Sequence, residues 1–201
     1  SNTDVGGKSH RLSLYRHASR ALVFGAGSVQ WSWGLDATHD RGSAAASPAM
    51  QQATVNLFAD MGVQPGSLQS GLVAATASTD ATTPQTVISS PANGANITGG
   101  AAITISGTSS DAGGGVVADV EISVDGGTTW KVATGTTNWT YSWTAPVTAG
   151  TVNIRVRGFD DSGNMEVPGS VGSADNINVN VTAGSSGCPC TVFQPSATPA
   201  V

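Results

Sequence analysis

The sequence predicts a mainly β chain: two packed antiparallel sheets of about seven strands, preceded by a βα fragment. Three observations carry this. Five short segments between residues 103 and 181 alternate apolar and polar residues with period two, as strands with one wet face do. Turn signals rich in Gly, Asp and Asn separate them at the spacing of a two-sheet sandwich. Only 10% of the residues are charged and 5% aromatic, whereas 26 of 201 are Gly, a composition closer to an extracellular β module than to a helical enzyme core.

Residues 1–75 hold five of the eight basic residues (Lys8, Arg11, Arg16, Arg20, Arg41) and all three His. Leu22, Val23 and Phe24 form a short apolar run closed by Gly25-Ala26-Gly27, which fits a buried strand and its exit turn. Ser47-Pro48 then offers an N-cap with proline at the first helical position. Met50, Ala53, Leu57, Phe58 and Met61 follow at helical spacing until Gly62. The helix is expected to bury Leu57, Phe58 and Met61 against the strand at Leu22 to Phe24 or against the sandwich. A single βα unit cannot make or cover a parallel sheet, so this stretch reads as the tail of a larger α/β domain. Ala74 to Pro84 is a small-residue linker.

In the middle stretch the alternating sets are Ile103/Ile105, Val120/Ile122/Val124, Trp139/Tyr141/Trp143, Val152/Ile154/Val156 and Ile177/Val179/Val181. Their polar counterparts include Glu121/Ser123, Thr140/Ser142, Asn153/Arg155/Arg157 and Asn178/Asn180. The turns are Pro91 to Gly94, Asp111 to Gly115, Asp125-Gly126-Gly127, Ala149-Gly150 and Asp160 to Asn164. With few other large residues available, Trp139, Tyr141 and Trp143 are expected to face inward as the main hydrophobic mass of the sandwich. The other reading is an exposed platform for sugar rings. Trp130, beside the Asp-Gly-Gly turn, is likewise read as packing.

Val120 to Trp130, then Asn138 to Trp143 and Arg155 to Asn164, resemble bacterial immunoglobulin-like modules. The same "strand, Asp-Gly-Gly, Trp" and "Arg, Asp, Gly-Asn" signatures occur in the accessory domain of sulfite-oxidase-type enzymes. That resemblance implies an immunoglobulin-like antiparallel β-sandwich acting as a spacer or adhesive unit in a secreted multidomain protein. Tyr15 to Asp36, with the helix through Gln51 to Gly62, looks like the C-terminal end of the large-subunit-like domain of N,N-dimethylformamidase, a metal-dependent amide hydrolase. That family's catalytic region has no counterpart here, so no catalytic residue carries over. Cys188-Pro-Cys190-Thr-Val-Phe193 resembles the opening of an uncharacterised β-sandwich module of bacterial exoproteins. The implied organisation is 1–75 as a fragment of an α/β amidohydrolase-like domain, 76–85 as linker, 86–183 as the immunoglobulin-like sandwich, and 184–201 as linker and start of the next module.

Candidate chemistry is sparse. Gly25-Ala26-Gly27 lacks the third glycine of a dinucleotide fingerprint and leads into Trp31-Ser32-Trp33 where a helix would begin. His10, His17 and His39 with Asp36 and Asp40 have the donor types of a metal or acid/base site but no His-x-x-x-His spacing; they are read as surface or packing residues. Ser28 lies outside any Gly-x-Ser-x-Gly elbow. Among the acidic turns (Asp111, Asp125, Asp160 and Asp161), Asp160 and Asp161 are the best candidates for calcium, which favours carboxylate and carbonyl oxygens. Asp-Gly is equally ordinary turn chemistry. Cys188 and Cys190 are disulfide candidates. Pairing with each other would close a small strained ring, and pairing beyond Val201 is equally open. Asn96, Asn138 and Asn180 head glycosylation-type triplets, read as accidental in a bacterial-type module.

Eight Lys+Arg against 13 Asp+Glu leave a charge of −5, which repels nucleic acid, and no apolar run is long enough to span a bilayer. The first residues lack the basic-then-apolar order of an export signal. The expectation is a non-catalytic spacer or adhesive module at the cell surface or outside the cell, with neighbouring domains, carbohydrate or further copies as partners and no cofactor beyond the calcium weighed above. The alternatives are part of an amide hydrolase completed by other sequence, with Trp31, Trp33 and His39 contributing to its site, or a self-assembling subunit using β-strand addition.

Overall fold

The computed structural model describes residues 12–19, 21–40, 42, 44–169 and 173–184. Cys188, Cys190 and His10 lie outside these residues. The chain divides into two compact units. The first comprises residues 1–84, 111–118 and 159–165; the second comprises 85–110, 119–158 and 166–201.

In the first unit, strands β1 (Ser13–Arg16) and β2 (Leu22–Gly25) pair antiparallel, Ser13 opposite Gly25 and Arg16 opposite Leu22. The apolar run at Leu22 is therefore one side of a hairpin, not a buried parallel strand. A two-stranded ribbon has one covered face at most, and Val23 remains 39% exposed. Gly25 leaves room for the Ser13 hydroxyl opposite it, which a Cβ there would approach to 2.6 Å. A single 3-10 turn at Trp31–Gly34 follows, then helix α1 (Pro48–Asp60), where Ser47 accepts from Met50 N at 3.4 Å and Pro48 takes the first turn. Phe24 meets Trp31 edge-on at 5.4 Å, Trp31 Nε1 donates to Thr54 Oγ1, and Gly34 lies so close to Met50 that a side chain would collide with its sulfur.

The buried stripe of α1 is Val55 and Ala59, four residues apart on one face. Phe58 and Met61, expected to be buried, are 43% and 54% exposed. The helix buries Val55 and Ala59 most deeply, keeps Met50 and Leu57 partly covered, and leaves Phe58 and the C-cap Met61 outward.

The second unit is built on two sheets of the expected sandwich. One has three strands in the order β3 (Gln85–Ser90), β5 (Ala102–Ser110), β8 (Asn138–Thr144), antiparallel throughout, with Gly107 opposite Trp139 and Ile88. The other has five, ordered β4 (Asn96–Thr98), β10 (Asn176–Thr182), β9 (Gly150–Asp160), β6 (Val117–Ser123), β7 (Lys131–Val132). β4 runs parallel to β10, and β9 antiparallel to it. The first two residues of β6 and the last two of β9 belong to the first unit. The core is drawn from the inward set anticipated from the alternation: Ile105, Trp139 and Trp143 from one sheet, Val120, Ile122, Ile154, Val156, Ile177, Val179 and Val181 from the other, while Ile103, Val124 and Val152 of that set are only partly buried. Tyr141 is only half buried. Ser123, placed on the wet face by its parity, is 1% exposed because its hydroxyl anchors the next turn: it donates to Asp125 Oδ1 and accepts from Gly127 N.

Candidate functional site

Three turns that the sequence marks as acidic have different fates. Asp125 is consumed by its own turn. The Ser123 hydroxyl first, then the Thr129 hydroxyl and N–H, bond its carboxylate at 2.6 to 2.9 Å and hold it down from 3.8 to about 2.

Asp111 and Asp160 instead meet Asp80 of the linker, all within the first unit. One carboxylate oxygen from each lies within 4.8 Å of the other two. Local bonds position each residue. Asp80 Oδ1 accepts from Thr82 N at 2.9 Å and Asp111 Oδ1 from Gly113 N at 2.8 Å. Asp160, 4% exposed, accepts from Ser162 N, Asn164 N and Asn164 Nδ2. The same Asn164 amide reaches the Asp80 carbonyl, and the Ser78 and Ser162 hydroxyls meet at 2.7 Å. The linker and the loop after β9 are thereby held together.

The second oxygens of Asp80 and Asp111 are sealed from solvent and accept no hydrogen bond. Both border Gly115: a Cβ there would strike Asp80 Oδ2 and lie 2.8 Å from Asp111 Oδ2 and 3.1 Å from Asp161 Oδ1. Asp161, adjacent to Asp160 and exposed, thus reaches the same cradle, while its Oδ1 also accepts from Val116 N at 2.9 Å. Burial raises the Asp160 carboxyl, its hydrogen bonds oppose that, and the Asp80 charge adds to the rise. Two like charges about 4 Å apart repel by about 4 kcal/mol at an effective dielectric of 20, so such a cluster is costly without a counter-charge.

The histidines form no comparable arrangement among the described residues. His39 stacks on Trp33 at 4.9 Å, and its Nδ1 lies 3.0 Å from the Asp40 carbonyl; Asp36 caps Thr38 N; His17 pairs with Ser19. Ser28 accepts from Gln30 N in a local turn. Trp130 is covered on one side by the Arg157 guanidinium at 4.0 Å, which also donates twice to Glu121 Oε2.

Sequence reasoning missed Asp80 and Glu166. Asp80 sits in a linker with no turn signature of its own. Glu166, in the second unit and 1% exposed, accepts from Thr86 N at 3.0 Å and Gly158 N at 2.9 Å, tying β3 to β9. Burial raises its carboxyl above 4.5 against the bonds from Thr86 and Gly158, and the charge of Asp175 raises it further. A lone Glu after the Gly-Asn turn was the only available signal.

No curated protein matches the chain. Among solved structures, a Cellulomonas fimi endo-beta-1,4-mannanase double mutant aligns at 18% identity with a TM-score of 0.29, covering 55% of this chain and 20% of that one. Residues 84–156 match the family model of the bacterial Ig domain, in agreement with the two-sheet topology above.

Proposed function

We propose that the chain serves a longer, secreted bacterial protein as a non-catalytic spacer. The observation that carries this reading is where the large side chains go. Trp139 and Trp143, the residues best suited to stack on a sugar, are 1% and 9% exposed and belong to the core. Arg157 covers one face of Trp130, and the outward positions of β10 are Asn and Thr. A module whose aromatic mass is spent on its own core holds neighbours apart; it offers little with which to grip a ligand.

The match to the bacterial Ig domain favours the same role. The test is titration of the whole chain with soluble manno- and cello-oligosaccharides, read by tryptophan fluorescence, alongside light scattering at two concentrations. A spacer shows no saturable change and a mass near 20.0 kDa at both. Saturable quenching replaces the spacer with an adhesive unit, and a mass that rises with concentration replaces it with a self-assembling subunit.

A further inference from the structure

Asp80, Asp111 and Asp160 are far apart in the chain yet direct three carboxylate oxygens into one cluster of the first unit, all within 4.8 Å of one another. Calcium binds oxygens at about 2.3 to 2.6 Å, so opposite ligands in its sphere stand about 4.6 to 5.2 Å apart. The cluster fits that sphere.

A second feature is independent of the clustering. Asp80 Oδ2 and Asp111 Oδ2 are closed off from solvent with no hydrogen-bond donor. Folding has removed their water and supplied no replacement, an arrangement that proteins ordinarily complete with a partner. Both oxygens, with Asp161 Oδ1, crowd the position that a Cβ at residue 115 would take, so only glycine lets the three carboxylates close in on this stretch of backbone. Gly115 has no left-handed φ to explain the absence of a side chain.

We propose that Asp80, Asp111 and Asp160, with Asp161 at the rim, bind a hard divalent cation, calcium by its size and its tolerance of irregular oxygen cages. The ion joins the linker at Asp80, the glycine turn after Asp111 and the loop after β9, so the spacer has a linker that stiffens where calcium is present. A proton shared between two carboxyls is the competing arrangement, and it produces no calcium dependence.

The test uses the full chain stripped with chelator, titrated with calcium chloride or magnesium chloride by calorimetry and by thermal melting. Calcium is expected to bind once per chain at about 0.1 to 1 mM, the range of extracellular modules, and to raise the melting temperature; magnesium binds at least about tenfold more weakly. Gly115→Ala keeps every carboxylate but pushes those of Asp80 and Asp111 out of place, and is expected to weaken calcium at least about tenfold. Asp111→Asn does the same should Gly115→Ala not fold. Asp125→Asn, an equal loss of charge outside the cluster, leaves the affinity unchanged. The proposal is overturned by the absence of both a saturable heat and a melting shift up to about 10 mM calcium, by magnesium binding as well as calcium, or by an equal loss of affinity in Asp125→Asn.

Discussion

Truncating Trp139 to alanine tests whether the indole is the mass that holds the two sheets. Trp139 is 1% exposed and lies over Gly107 of β5, where a Cβ would come within 2.8 Å of its Cε2. Large-to-alanine changes at such aromatic positions cost about 3 to 5 kcal/mol, of the order of a small domain's whole stability. One term opposes this: the buried indole N–H has no acceptor, and a sealed unpaired donor costs about 1 to 3 kcal/mol. Trp139→Ala removes both, whereas Trp139→Phe removes the orphan donor and keeps most of the ring. For phenylalanine the lost area, roughly 40 Å² at about 25 cal/mol per Å², amounts to about 1 kcal/mol and nearly cancels the relief. Urea denaturation of the full chain, followed by circular dichroism, is expected to show Trp139→Ala lowering the midpoint by more than about 1 M and Trp139→Phe leaving it nearly unchanged. An alanine variant as stable as Trp139→Phe, which sheds the same orphan donor, would refute the placement of this side chain at the centre of the core.

Gly107→Ala is expected to destabilise the chain by at least about 2 kcal/mol, because the new methyl collides with the Val87 carbonyl as well as the indole. Combining it with Trp139→Phe gives no rescue in the same urea assay, since the backbone clash remains. The pH dependence follows from Glu166, whose folded pKa is raised above 4.5. Its charging penalty is absent below that value and grows as pH climbs toward the raised pKa, so above pH 4.5 the metal-free melting temperature falls less steeply in Glu166→Gln than in the parent chain. Asp125 has the opposite sign: its contribution is lost as pH falls from 3.8 to about 2, and Asp125→Asn flattens that acid limb. On α1, Val55→Ala costs about 1 to 2 kcal/mol and Met61→Gln under about 0.5, the reverse of what residue size alone suggests; chemical denaturation of each variant distinguishes them.

Alternation alone made five of the module's strands legible: β5, β6, β8, β9 and β10. Period-two alternation reports which side of a strand is dry, because successive Cβ atoms point to opposite faces whatever the strand later pairs with. Hence Ile105, Val120, Ile122, Trp139, Ile154, Val156 and Val179 were legible as core, and Ser47-Pro48 as a helix start. Parity failed at Ser123, where a hydroxyl is buried to serve a turn, and apolar size failed on α1, which buries Val55 and Ala59 more deeply than Phe58 and Met61. Tertiary structure alone decided how the strands divide into sheets of three and five, the buried carboxylate of Glu166 between Thr86 and Gly158, and the meeting of Asp80, Asp111 and Asp160. The local pattern marked Asp111 as a turn residue and Asp160 with Asp161 as calcium candidates within a turn, and did not mark Asp80 at all. Their convergence depends on where distant turns come to rest once the chain is folded, and no short-range periodicity carries that information.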